Sequence, residues 1–543
     1  MHATHHTSDI LKELTLEALI NSLAKSSAAA VRAGKLPPEL QEVKDYLYIE
    51  TEIEQVFKES IDNATNSTII FLCGSSGDGK SELLSRYNQE YGSKFLFHLD
   101  GTHSYRPDQT AIEALDKRFR EHQELQKPLI VGINIGMLAN YCNEGADDLS
   151  KIKTAISRYL EKRVDEDDDN IEFINFELFP KFKEENGEIT APFIDSLLSK
   201  IVAKDSSNPF HRAYLNSVRQ HSVVKSKLET NFAILSLSEI RIRLREILLV
   251  SRLRSDLFLT ARTLLDFVHT MLSGGGYLFD NLYNGGSSEL MKSLSLFSPH
   301  QLREKEIDMF IINKTLNLSD SDFKSFAQEV NAELGILPDS PVSWIRFFSI
   351  AQHLEVGNNY HHKFKKNFQQ PALDHFIEVW GIHSSFNGER EQRTQLRDFY
   401  NNFLIKALQI YGNRLAPSLA SNKEFILKIL SGFEFSSKAE IQADLKRIEI
   451  DRQNHFGKFN AYLIVNGEKL QKLEVDANLM DLIRRIIKGY KPSKHDRDAT
   501  VILEEFVELI RQKVDTQKQI IIRGKNCEYR VTYDEEYDEI QIH

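Results

Sequence analysis

The chain has 543 residues and a net charge of −11, with 41% hydrophobic and 27% charged residues. Together with only 13 prolines and 25 glycines, this is the balance of an ordinary globular protein of several domains, and it excludes long disorder. The acidic total argues against a protein that coats nucleic acid non-specifically, and no run approaches the ~20 apolar residues a membrane span needs.

The N-terminus, Met1-His2-Ala3-Thr4-His5-His6, lacks a basic and apolar signal region, so a cytoplasmic location is expected. A first helical segment ends near Gly34-Lys35-Leu36-Pro37-Pro38, and Ile49, Ile53, Phe57 and Ile61 then recur every four residues as an amphipathic helix. The β-rich run Thr68–Cys73 predicts a strand. A glycine-rich loop and a helix with Leu83, Leu84, Tyr87 and Tyr91 on one face follow it. Further strands are predicted at Phe95–Asp100, Leu129–Ile135 and Ile171–Leu178, alternating with helices around 108–124 and 147–163, a pattern that reads as a parallel sheet with helices on its faces. The acidic run Asp165–Asp169 suits a solvated loop better than a metal site.

From about residue 205 the pattern is helical, through Leu237–Arg254 and Thr260–Leu272, and Gly274-Gly275-Gly276 reads as a hinge after a lid. Trp344, Phe347, Phe348, Phe376 and Trp380 are expected core aromatics. A strand at Ala461–Val465, helices at Leu479–Ile487 and Val501–Val514, and a hairpin across Gly524-Lys525-Asn526 close the chain. Cys73, Cys142 and Cys527 are too few and too scattered for a disulfide framework or a metal site.

The chemistry is carried by Gly74-Ser75-Ser76-Gly77-Asp78-Gly79-Lys80-Ser81, which fits the phosphate-loop pattern Gx4GK[ST] and stands between a strand and a helix. In such a loop the glycines let backbone N–H groups curl around phosphate oxygens, the lysine neutralises the β and γ phosphates, and the hydroxyl binds magnesium. The expected cofactors are therefore ATP and Mg2+, held by Gly74 through Glu82, with Lys80 and Ser81 in the last two roles. The fold class expected is an α/β P-loop core, AAA+-like, with a helical lid and C-terminal all-helical and small α+β modules. The domains read as an N-terminal helical segment (1–60), the nucleotide core (61–205), the lid (206–285), a helical domain (286–435) and the α+β module (436–543).

The acid that should accompany the loop is less direct. Leu129–Asn134 ends in an amide, which holds a magnesium-bound water but cannot act as a base, so Asn134 is assigned to the metal shell. Phe95-Leu96-Phe97-His98-Leu99-Asp100 is the better apolar strand ending in an acid. Asp100 is either the general base or the cap of the following turn. Asn175 stands where a sensor asparagine would face the γ-phosphate. Arg262 either reaches the nucleotide from the lid or pairs with Asp266 one helical turn on. Basic residues mixed with aromatics occur at His361–Lys366, Arg390–Arg397 and Lys488–Arg497. Lys363, Lys365, Lys366, Lys488, Tyr490, Lys491, Lys494 and Arg497 are the weak nucleic-acid candidates, with solvated surface as the alternative. His361-His362 is read as surface.

Four segments, Cys73–Leu84, Phe97–Thr102, Val131–Gly136 and Lys488–Arg497, together resemble the DptF (DndF) family, the ATPase subunits of bacterial DNA phosphorothioation-dependent restriction systems. The resemblance runs from about residue 45 to the C-terminus. It implies an ATPase that works with two partner subunits, one of them helicase-like, on double-stranded DNA lacking sulfur in its backbone, with no membrane partner and with homo-oligomerisation open. In the family the acid at position 100 is usually followed by Ala-Thr-Glu. Here Gly101-Thr102-His103 follows, which leaves Asp100 as the surviving acid. The rival reading is a nucleotide-dependent switch or scaffold that hydrolyses slowly or not at all. A small-molecule kinase fits the large C-terminal half poorly.

Overall fold

Ile69–Cys73 (β1) is apolar throughout and buried at every position, as a strand covered on both faces must be. The computed structural model describes residues 14–29, 38–75, 77–104, 108–161, 170–185, 188–220, 225–451, 456–493, 496–515, 519–534 and 538–543. Around β1 it places Leu96–His98 (β2), Leu129–Ile133 (β3) and Ile171–Asn175 (β4) in a parallel sheet of order β2-β3-β1-β4.

The two faces of β1 alternate, as a period of two requires. Ile70 and Leu72 pack with Ile53, Phe57 and Ile61 of helix α1 (Glu52–Asn63) and with Leu83, Leu84 and Tyr87 of helix α2 (Lys80–Tyr91). Ile69, Phe71 and Cys73 face Leu115 and Phe119 of α3 (Ala111–Leu125), Leu138 and Tyr141 of α4 (Ile135–Glu144), and Ile152 and Ile156 of α5 (Ser150–Leu160). Each fully buried Ile, Leu or Phe of these clusters contributes roughly 1.5–3 kcal/mol. The helix after β1 lies on one face and the helices after β3 on the other, so their connections diverge between β1 and β3, the topological switch point at whose carboxyl end open α/β sheets bind ligands.

Strand ends differ from the sequence reading. Leu99 and Asp100 leave β2 for a turn. The stretch read as strand to Ile135 stops at Ile133, because Asn134 caps α4 by accepting from Met137 N–H at 2.7 Å. After Asn175 the chain enters a 3-10 turn over Phe176–Leu178 instead of continuing the strand.

Contacts group the chain into two units: residues 1–183, 191–251 and 257–368, and residues 184–190, 252–256 and 369–543. The helix Ser238–Ser255, whose last turn is grouped with unit 2, and α6 (Ala261–Ser273) of unit 1 stand where the lid was expected. The triple glycine after them is fastened. Asn231 Nδ2 donates to Leu272 O and Gly276 O, Asn281 Nδ2 donates to Met271 O and Gly276 O, and Asn281 Oδ1 accepts from Gly276 N–H. Two buried amides thus satisfy the backbone of the stretch read as a hinge. Trp344, Phe347 and Phe348 join Phe310, Phe323, Phe326 and Tyr360 in the aromatic core of the same unit.

Unit 2 holds the buried Phe376 and Trp380. Its five-stranded antiparallel sheet contains Glu424–Leu430 (β5), Phe433–Lys438 (β6), Gln519–Arg523 (β7), Glu528–Asp534 (β8) and Glu539–Ile542 (β9), with the expected hairpin between β7 and β8. The strand expected at Ala461–Val465 is two short strands, Lys458–Ala461 and Leu463–Val465, in different sheets. Helix α7 (Ala477–Ile487) precedes the basic stretch. Among the described residues no helix is long and apolar enough to cross a membrane.

Candidate functional site

The register carries Cys73 level with Ile133 on one side and Asn175 on the other, so the chain leaves β1, β3 and β4 at one edge of the sheet. The glycine loop leaves there. Gly74 N–H donates to Ile133 O at 3.3 Å, Gly77 and Gly79 take φ of +87° and +107°, and Gly79 caps α2, whose first residue is Lys80. Those backbone angles suit glycine and strain other residues. A Cβ at Gly79 would meet nothing within 4 Å, so the space above that glycine is open.

Within the loop Asp78 Oδ2 accepts from Ser75 N–H at 2.5 Å, and Lys80 Nζ turns back to donate to Ser75 O at 2.5 Å. Burial raises the Asp78 carboxyl to about 6 against the opposing effects of Lys80, the Ser75 N–H bond and Lys181, and Glu177 adds to the rise. Burial likewise lowers Lys80, which Asp78 and Asp100 partly offset. Ser81 is exposed in the first turn of α2, where backbone N–H groups have no partner within the helix. Ser76 lies outside the described residues. Glu82 points elsewhere: it accepts from Arg86 Nε at 2.9 Å and pairs with Lys44, an ion-pair cluster that spends its charge on the protein.

Asp100 is 46% exposed and is tied down by its own turn. Its Oδ1 accepts from Thr102 N–H at 2.9 Å and from Thr102 Oγ1 at 2.6 Å, and its Oδ2 meets His103 Nδ1 at 3.0 Å. Burial would raise its pKa, but the bonds from Thr102 and His103 win and hold it below the usual carboxylate value. It is therefore ionised at neutral pH. Gly101 N–H donates to Gly132 O at 2.6 Å, which anchors this turn to β3. Asn134 commits its amide oxygen to the α4 cap, and the amide of Asn175 accepts from Glu177 N–H and donates to Tyr159 OH, both at 3.0 Å.

Helix α6 starts on the tip of the loop. Arg262 N–H donates to Gly77 O at 3.4 Å, and a Cβ on Gly77 would sit 3.2 Å from Thr260 Oγ1 and 3.3 Å from Arg262 Cβ. The structure thus brings Arg262 to the glycine loop and sets Asp100 near enough to Lys80 to act on its charge. The residues fit a magnesium-bound triphosphate: open space at Gly79, a lysine and a serine opening α2, and an arginine at the loop tip. Sequence reading missed Lys181 and Glu177, which follow β4 and act electrostatically on Asp78. Neither belongs to a motif of fixed spacing, and only the sheet order brings them to the loop.

The basic stretches fall in both units. Lys363, Lys365 and Lys366 lie on a 3-10 helix of unit 1 whose other face, including His361, is buried, and Lys363 pairs with Asp322 at 3.5 Å. His361 was read as surface, but it is fully buried, its Nε2 meets Leu354 O at 3.0 Å, and burial lowers its pKa to about 4. Arg390–Phe399 is a helix of unit 2, as is the basic turn after α7. There Tyr490 OH donates to Asp496 at 2.7 Å, and Lys488 and Lys491 are exposed. Lys494, the Arg497 side chain and the acidic run 165–169 lie outside the described residues. Among the described residues no group of three or more His, Cys, Asp and Glu could hold a metal ion. No protein-family model matches this chain, and comparisons with curated proteins and with solved structures give no match either.

Proposed function

We propose that the loop Gly74–Ser81 binds ATP with magnesium and that the chain hydrolyses it as the ATPase subunit of a DNA restriction complex dependent on backbone phosphorothioation, the activity implied by the resemblance to the DptF family. The observation that carries the nucleotide part is the lysine at the start of α2, set behind a left-handed glycine at the carboxyl edge of a parallel sheet, with its ammonium turned onto the loop. Bound magnesium would neutralise phosphate charge. Lys80 holds the β and γ phosphates, the Ser81 hydroxyl faces the metal, Arg262 closes from α6, and Asp100 orients water. Asn134 and Asn175 support the metal shell and the γ-phosphate side. The partners are two further subunits, one helicase-like, and double-stranded DNA reached through the complex.

Lys80→Ala tests the central claim by titration of the full chain with magnesium ATP. Binding should fall by about 100-fold or more while the fold survives, since the charge-assisted contacts of one residue are removed. Unchanged affinity refutes the reading. A second reading, a nucleotide switch with little turnover, draws support from the hydrogen bonds that already occupy Asp100 and Asn134. Asp100→Asn separates the two: loss of about 10²-fold in turnover at intact affinity identifies the base. No measurable turnover by the wild-type complex favours the switch.

A further inference from the structure

Lys181 follows β4, a few residues after Phe176, whose Cβ would stand 2.9 Å from a Cβ on Gly74, so this segment runs against the first residue of the glycine loop. Its ammonium lies 3.9 Å from the centroid of the Phe193 ring. Among the described residues no carboxylate lies within ion-pair distance of it. The charged group that acts on it is Asp78, the carboxylate inside the loop, which itself faces Lys80, Lys181 and Glu177. A partly buried ammonium without a paired anion is costly, and such groups concentrate where a ligand supplies the missing charge.

From this placement, and resting on the nucleotide reading of the loop, we infer that Lys181 is a second cation for the polyphosphate, approaching from the β4 side while Lys80 approaches from α2, with Asp78 as the shared counter-ion when no nucleotide is bound. Phe193 holds the ammonium in place through its ring face. The ligand class is a nucleoside polyphosphate. Burial lowers the Lys181 pKa to about 8, so a growing share of free protein has a neutral Lys181 above that pH. Phosphate binding must then take up a proton, and affinity falls as pH rises.

The test titrates the full chain with magnesium ATP between pH 7 and 9, comparing wild type, Lys181→Met, Lys181→Arg and Lys80→Ala, with thermal unfolding of each. Lys181→Met should weaken binding about tenfold at pH 7 and flatten the fall above pH 8, while Lys181→Arg restores most of the affinity, because one charge-assisted contact is removed or kept. If Lys181→Met binds like wild type while Lys80→Ala does not bind, Lys181 is no phosphate ligand and the loop reading stands. If neither variant changes affinity, the loop reading falls and the inference with it. A Lys181→Met that unfolds at lower temperature, with affinity lost and not restored by arginine, makes the lysine a structural prop and overturns the inference.

Discussion

Around the glycine loop of unit 1, the contacts described for Lys80 and Lys181 are a carbonyl oxygen and an aromatic ring, with one buried carboxylate, Asp78, acting on both. The basic turn of unit 2 is arranged the other way. Asp496 accepts from Ser493 N–H at 2.9 Å and Tyr490 OH at 2.7 Å and pairs with Arg485 at 2.7 Å, while the Arg485 guanidinium lies 4.5 Å from the Tyr490 ring centroid. Those bonds hold the Asp496 carboxyl far below the usual range despite its burial. Both stretches carry lysines, but in the turn the acid consumes the arginine and tyrosine for structure, while at the loop neither Lys80 nor Lys181 has an ion pair among the described residues. A partly buried ammonium with no ion pair is what an anionic ligand answers.

The largest effect that would break this contrast is Asp496→Ala. It should cost about 3 kcal/mol, because the bonds of the buried carboxylate to Ser493 N–H, Tyr490 OH and Arg485 are lost together and Arg485 keeps only Asp481 at 3.2 Å, and it should leave ATP affinity unchanged. The two tryptophans, Trp344 and Trp380, fall one in each unit, so Trp344→Phe in this background lets urea unfolding report unit 2 alone. An equal loss in unit 1 would contradict the assignment.

Next comes the pH response of the loop. The folded pKa of Asp78 is raised from 3.8 to about 6, so its contribution to stability is fully present below 3.8, is lost as pH rises to about 6, and is absent above. The span is worth about 2–3 kcal/mol for this buried group. Asp78→Asn should remove that slope and stabilise unit 1 near pH 7, measured by urea unfolding with Trp344 as the reporter. A slope that survives the substitution places its origin elsewhere.

Gly132→Ala sharpens the comparison through packing. Its Cβ would stand 2.3 Å from Leu84 Cδ1 and 2.7 Å from Leu99 O, so β3 must move away from α2 and the Asp100 turn. A loss of about 2 kcal/mol in unit 1, with weaker nucleotide binding, is expected from such overpacking. The smallest effect is that of Asn134→Ala, which removes the α4 cap at about 1 kcal/mol. If Asn134 also supports the metal shell, magnesium-dependent ATP binding weakens in that variant, and calorimetry with and without magnesium reads the difference.

What was legible in sequence follows from local chemistry. The strand, glycine loop and helix around Lys80, the helix near 111–125 and the hairpin at Gly524–Asn526 all carry their own turn residues and periodicity. The start of the helix that carries Arg262 was readable because the capping residue Thr260 precedes α6. The end of β2 was legible only through the alternative that Asp100 caps the following turn, and the end of β3, where an amide bonds to a nearby N–H and ends the strand, was not, because a hydrophobic pattern does not register it. The burial of His361 was hidden too, since a basic run around it looks exposed until its other face meets an aromatic core.

By itself the sequence determined a phosphate-loop pattern in its strand–helix setting and an alternation that commits the first third of the chain to a parallel sheet, because these depend on residues adjacent in the chain. Only the tertiary structure decided which strands neighbour β1, and with that order came the placing of Asp100, Asn134, Asn175 and Lys181 about the loop. Strand order depends on contacts between residues far apart in sequence, whose free energy no local window contains.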